Sequence, residues 1–195
     1  METVLCICLG IGLSAACGFR VFVPLLALSV AAHSGHVHLA AGFQWIASDA
    51  ALIAFGIATA LEIGAYYIPW VDHALDVIAT PVAVVAGVLV TASLVTDMSP
   101  LLKWTLAVIA GGGAAGLVQG GTILLRGASS VTTAGFGNPL VATAELAGAA
   151  VISVLSLLAP VFIAVVVLLG LAWIARKLWL RSQTRVTAPG HPTLS

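Results

Sequence analysis

Between Leu61 and Pro81 the chain reads LEIGAYYIPWVDHALDVIATP, where Glu62, Asp72, His73 and Asp76 stand beside Tyr66, Tyr67 and Trp70. Carboxylates and an imidazole at such spacing can hold a cation, pass a proton or act as acid and base on a bound group. Almost everything on either side is Ala, Val, Leu, Ile and Gly. An ionisable group in hydrocarbon costs about 2.5–3.5 kcal/mol on insertion scales, so each one needs a reason to be there. Glu62 is the first to explain, because an apolar run precedes it; Glu145 follows, a few residues inside another apolar run that opens at Asn138 and Pro139. Arg20 is the cation nearest the apolar segments that can neutralise either one.

The elements that must position these residues are set by composition. Of 195 residues, 61% are hydrophobic and 7% charged, whereas soluble domains average about 25% charged. The reading is an all-α, polytopic transmembrane helical bundle of about six or seven membrane segments. Seven acidic and seven basic residues cancel, which leaves no basic surface for nucleic acid; the partners to expect are the lipid bilayer and a small solute or ion. Cys6, Cys8 and Cys17 show no ligand spacing and read as small hydrophobes. No cofactor is indicated.

Thr3–Cys17 and Gly18–Ala32 supply fifteen residues each around a Gly18-Phe19-Arg20 corner with Pro24 just beyond, and a full span needs about 20. Two short helices, spanning thinly or re-entering, return the chain to its starting side. A signal peptide is the competing idea, and it lacks the positive flank that such a segment carries. His33–Asp49 holds His33, His36 and His38, which are weak candidates for a transition metal; Phe43 and Trp45 suit a segment lying in the membrane interface. Spans are expected at Ala50–Trp70, Leu75–Thr96, Leu101–Leu125, Leu140–Leu158 and Val161–Leu180, with Arg126–Asn138 as a loop. Gly112, Gly116 and Gly120 form a small-residue stripe for close helix packing, including a homo-oligomer through that face. Residues 1–181 form a single membrane domain, and residues 182–195 a disordered cytoplasmic tail.

Lys and Arg fall mostly on one side, in the connections with Arg20, Arg126 and Arg176 to Arg185. This predicts a cytoplasmic C-terminus, an N-terminus outside, and a place in the bacterial inner membrane. AACGFRVFVPLLAL from Ala15 and TTAGFGNPLVATAEL from Thr132 share small residues, Gly-Phe, a proline and a resumed apolar helix. They are a weak sign of a repeat relating 1–100 to 101–181, with broken helices near Gly18–Pro24 and Gly135–Pro139.

GFRVFVP, then E-x-x-A-Y-Y-I-P-W-x-D-H-x-L-D-x-x-x-T-P, then GFGNP resemble a bacterial family of small polytopic membrane proteins known only as a domain of unknown function. The resemblance covers residues 1 to about 180 and implies an inner-membrane bundle. It marks Arg20, Glu62, Pro69, Asp72 and Asp76 as positions that match the family, and it implies no activity.

Each candidate also has a plain structural use. Asp72 and Asp76 suit the N-cap and first turn of the following helix, and a tie from Arg20 to Glu62 or Glu145 suits helix register; Tyr66, one turn after Glu62, can donate to it. Two functions remain. One is a small transporter or channel for a polar or ionic solute, with Arg20, Glu62, Tyr66, Asp72, His73, Asp76, Asn138 and Glu145 at its binding site and a buried carboxylate taking a proton or cation. The other is a membrane-embedded enzyme that uses the Asp72, His73 and Asp76 cluster on a lipid head group. The absence of a nucleophile in a recognisable motif favours the first. A non-catalytic assembly subunit is the third use of such a bundle.

Overall fold

A computed structural model describes residues 2–134 and 136–186, with the backbone but not the side chains of 69–77, 174, 175 and 178–186. Its described residues are helical, with no strand. Helices α1 (Glu2–Cys17) and α2 (Phe22–His33) meet at the break at Gly18–Val21. A single 3-10 turn at Gln44–Ala47 leads to α3 (Asp49–Ala65), which is followed by α4 (Pro69–Leu94). Then α5 (Pro100–Leu106) runs through a π-helical stretch (Ala107–Gly112) into α6 (Gly113–Thr133), so that Pro100–Thr133 is one rod of 34 residues. Helices α7 (Asn138–Leu158) and α8 (Pro160–Val186) complete the bundle.

Prolines set the starts. Pro69, Pro100 and Pro139 each sit in the first turn of a helix, where a missing N–H costs nothing and the fixed φ is already helical. Hydroxyls do the rest of the capping: Ser48 Oγ accepts from the Ala51 amide at 3.2 Å, and Ser99 Oγ from Leu102. Among the described residues two helices, Pro100–Thr133 and Asn138–Leu158, are long and apolar enough to cross a membrane. The core packs α1 against α4, with Leu13, Cys17, Val90 and Leu94 fully buried. Large apolar side chains such as Ile53, Ile57, Leu124, Val154 and Leu169 face outward.

Three expectations change. Arg126–Asn138 is not a loop, because α6 continues to Thr133. Its hydroxyl residues are held in the helix by bonding back one turn, Thr132 Oγ1 to Ala128 O at 2.8 Å and Thr133 Oγ1 to Ser129 O at 2.7 Å. Helix α4 starts at Pro69 with Ile68 as its N-cap, so Asp72 and Asp76 are neither its cap nor both in its first turn; their side chains and that of His73 lie outside the described residues. Helix α8 passes residue 181 and runs to Val186, while residues 187–195 lie outside the described residues.

The glycine stripe works within the chain. A Cβ on Gly112 would meet Val88 Cγ2 at 2.9 Å and one on Gly116 would meet Val84 Cγ2 at 3.2 Å, both on α4, whereas Gly120 has nothing within 4 Å. A Cβ on Gly111 would lie 2.4 Å from the Gly87 carbonyl oxygen, so α4 and the π-helical stretch meet backbone to backbone. Beside it, Ser14 Oγ donates to the Gly87 carbonyl at 2.8 Å and lies 2.9 Å from Thr91 Oγ1, tying α1 to α4 with no polar atom left over.

The depth of the first break is what matters for the site. Gly18 packs against Ala115 and Val118, yet α6 runs on to Thr133, and α4 begins nine residues before Ile78, which lines the same cavity as Val21. The corner therefore sits roughly 14–22 Å inside the end of the bundle. At 16 and 12 residues, α1 and α2 are about 24 and 18 Å long.

Candidate functional site

The break leaves Arg20 in the interior, 2% exposed. Its Nη2 donates to the Ala142 carbonyl of α7 at 2.9 Å and lies 3.6 Å from Glu145 Oε2. From α6, Arg126 grips the same carboxylate with both arms, Nε to Oε1 at 2.9 Å and Nη2 to Oε2. This fork-on-carboxylate pairing is the strongest that an arginine makes. Both Arg126 and Glu145 are 4% exposed. Tyr66, just past the end of α3, stands with them: the Arg20 guanidinium carbon is 3.5 Å from its ring centroid and that of Arg126 4.5 Å, both close enough for cation–π attraction. Four elements thus meet around one carboxylate and one ring.

Glu62 is held differently. Its Oε1 accepts the Val21 amide at 2.8 Å and its Oε2 the Phe22 amide at 3.1 Å. These are the first amides of α2, which have no acceptor of their own in the helix, and the N-cap residue Val21 supplies no side-chain acceptor. Of the two carboxylates that Arg20 could neutralise, it is ion-paired with Glu145, while Glu62 caps α2 from a different helix. The reason is local, because two orphan amides beside a break compete for a carboxylate as well as a guanidinium does.

A cavity of about 460 Å³ opens beside Glu62 between α3 and α4, lined by Val21, Phe22, Leu61, Tyr66, Ile78 and Val82 among others. Helix α3 packs against α2 and the 3-10 turn, while the described part of α4 turns to α1, α6 and the π stretch. This leaves the space between α3 and α4 open although only three residues join them. A second cavity of about 290 Å³ touches Glu145 from the side of α6, beside Phe19, Thr122 and Leu125. The cluster borders both, through Tyr66 on the first and Glu145 on the second.

Of the residues singled out from sequence, Arg20, Tyr66 and Glu145 are brought together, with Glu62 on the neighbouring corner. Asn138 is buried one turn from the start of the α6 to α7 connection and donates to Ser130 Oγ at 3.1 Å, a local clasp apart from the cluster. Asp72, His73 and Asp76 lie outside the described side chains. His33, His36 and His38 do not converge: the His33 ring bonds the Ala47 carbonyl at 2.9 Å and lies 3.8 Å from Asp49, and His36 bonds Ser34. Among the described residues no three possible ligands are grouped to hold a metal ion. Arg126 was missed. Its signal was an arginine following an apolar run and followed in turn by Ala, Ser and Thr, which a helix tolerates when their hydroxyls bond back.

The family described as Domain of unknown function (DUF4126) matches residues 7–180, and the chain belongs to it. No curated protein and no solved structure matches the chain.

Proposed function

We propose that this member of the DUF4126 family is a multi-pass membrane protein that passes a small polar or ionic solute, with the solute site at the break between α1 and α2. One observation carries the reading: Arg20, Arg126, Glu145 and Glu62 gather inside an apolar bundle at the ends of two half-length helices. Charges at such depth are costly and mark solute or ion pathways, and broken helices supply free backbone groups at mid-depth, where solute sites of small transporters lie. At about 24 and 18 Å, α1 and α2 fall short of a hydrocarbon core of about 30 Å, which suits a re-entrant pair. The outward-facing apolar side chains suit lipid contact. The basic residues of 176–185, against Lys103 alone at the other end, support a cytoplasmic C-terminus with the loop at Ser34 outside, and the reading takes the membrane to be a bacterial inner membrane.

Water access to the break tests this. With Cys6, Cys8 and Cys17 replaced by alanine and the protein in vesicles, Ala65→Cys beside the cavity is expected to react with a charged, membrane-impermeant thiol reagent. Ser34→Cys, reacting only from the outer side, fixes the orientation in the same experiment. An Ala65→Cys thiol that stays unreactive from both sides, in a protein whose Ser34→Cys reacts, means a sealed structural latch and overturns the transport reading.

A further inference from the structure

Glu145 and Glu62 are both internal carboxylates, but among the described residues Glu145 alone of the two is ion-paired with arginine. Glu62 sits on two consecutive amides at the start of a 12-residue helix, 2.8 and 3.1 Å away. Consecutive free amides at the positive end of a helix form a seat for an oxyanion, and here a side chain from another helix fills it. A second, independent feature adjoins the seat. Arg20, the residue immediately before Val21, is 2% exposed, and its Nε and Nη1 have no hydrogen-bond partner. Buried guanidinium N–H groups without acceptors are costly, and the corner therefore holds more donors than its own acceptors use. The third feature is room: the 460 Å³ cavity, into which a side chain with three rotatable bonds can swing, reaches Glu62 itself and is bounded by Tyr66, the ring on whose face the Arg20 guanidinium stacks.

We infer that the α2 N-terminus is a binding seat for a small carboxylate-like monoanion, and that Glu62 is its tethered competitor, leaving the seat when it takes a proton. The inference rests on the transport reading and names its substrate class. A proton adds to a Glu62 oxygen and makes a neutral acid, a much weaker acceptor. The Val21 and Phe22 amides then pass to an oxygen of the entering anion, and Arg20 Nε and Nη1 supply further donors. One proton and one anion enter together, so the charge of the site is the same before and after. Loss of the proton returns Glu62 to the seat and expels the anion. The groups facing Glu62 are Cys17 and Arg20 from the α1 side, Tyr66 just past the end of its own helix, and Ile78, Ala79 and Val82 from α4. Arg126 and Glu145 lie behind Tyr66 and Arg20, while Asp72, His73 and Asp76 in the first turns of α4 have side chains outside those described.

The test uses the full chain in detergent with acetate, which is the terminal fragment of the glutamate side chain, as the probe. Acetate binding is followed by calorimetry and proton uptake by a pH electrode in weak buffer. Wild-type protein is expected to take up one proton per acetate and to lose about tenfold in affinity for each unit rise in pH while Glu62 is ionised. Glu62→Gln is expected to bind acetate with the same affinity at every pH at which acetate is ionised, and without proton uptake. Glu62→Asp, one methylene too short for the seat, keeps an ionisable group and is expected to bind acetate more tightly than wild type at neutral pH; it serves if the glutamine variant does not fold. Acetate binding without proton uptake, uptake that persists in Glu62→Gln, or no acetate binding by a protein whose Ala65→Cys is reached by water would each overturn the inference. The last result leaves the transport reading standing, whereas a sealed Ala65→Cys removes both.

Discussion

The two corners of this bundle share a sequence pattern and differ in almost everything else. Each has small residues, Gly-Phe and a proline before the chain resumes as helix: Gly18 and Phe19 before Pro24, Gly135 and Phe136 before Pro139. At the first, Arg20 is 2% exposed; at the second, Phe136 is 88% exposed. The first joins helices of 16 and 12 residues and ends inside the bundle, and the second joins a 34-residue rod to a 21-residue helix and ends at its surface. The second satisfies its backbone locally, with the Gly137 amide donating to Thr133 Oγ1 at 2.9 Å. The first brings in Glu62 from 41 residues away. A broken helix therefore gathers charge when its arms are too short to carry the break to the surface, since buried amides must then be met by other helices.

The largest effect expected from this contrast is at Glu145. Glu145→Gln leaves Arg126 and Arg20 without their shared carboxylate and is expected to cost about 3–5 kcal/mol by thermal unfolding, with part recovered in Glu145→Gln/Arg126→Gln. The matching loss at the surface corner, Asn138→Ala, is expected to cost about 1 kcal/mol. Equal costs would break the comparison.

Glycine comes next. A Cβ on Gly18 would lie 2.5 Å from the Ala115 carbonyl oxygen, and one on Gly137 would lie 2.6 Å from Ser129 Oγ. Backbone cannot move aside as a hydroxyl can, so Gly18→Ala is expected to lose about 1–3 kcal/mol and Gly137→Ala less than about 1. The two melting curves measured together sharpen the difference between corners.

Smaller still is the cap. Glu62→Gln keeps an acceptor for one of the two amides and loses the charge, and is expected to cost about 1–2 kcal/mol. Thr133→Val, which removes the local cap, is expected to cost about 1 kcal/mol. Hydrogen exchange at Val21 and Gly137 should rise only in the variant that uncaps each. The smallest effect is at Gly120, where open space predicts that Gly120→Ala changes stability by less than about 0.5 kcal/mol. A large loss there would mean that this face is covered by another copy.

The sequence by itself determined that the chain is helical, where most helices begin, and that the first pair is too short to be ordinary. Those properties follow from apolar run length, from prolines that fit only a first turn, and from a glycine corner, all of which act within a few residues. Tertiary structure alone decided which carboxylate meets which cation. Arg20 lies near Glu62 in the pattern of polar residues, yet it reaches Glu145, because Arg126 continues a helix that hydroxyl residues disguised as a loop, and because the Val21 and Phe22 amides claim Glu62 first. Pairing among buried charges is settled by which orphan groups arrive at the same depth, and depth depends on how long helices pack, a quantity that no local stretch of sequence contains.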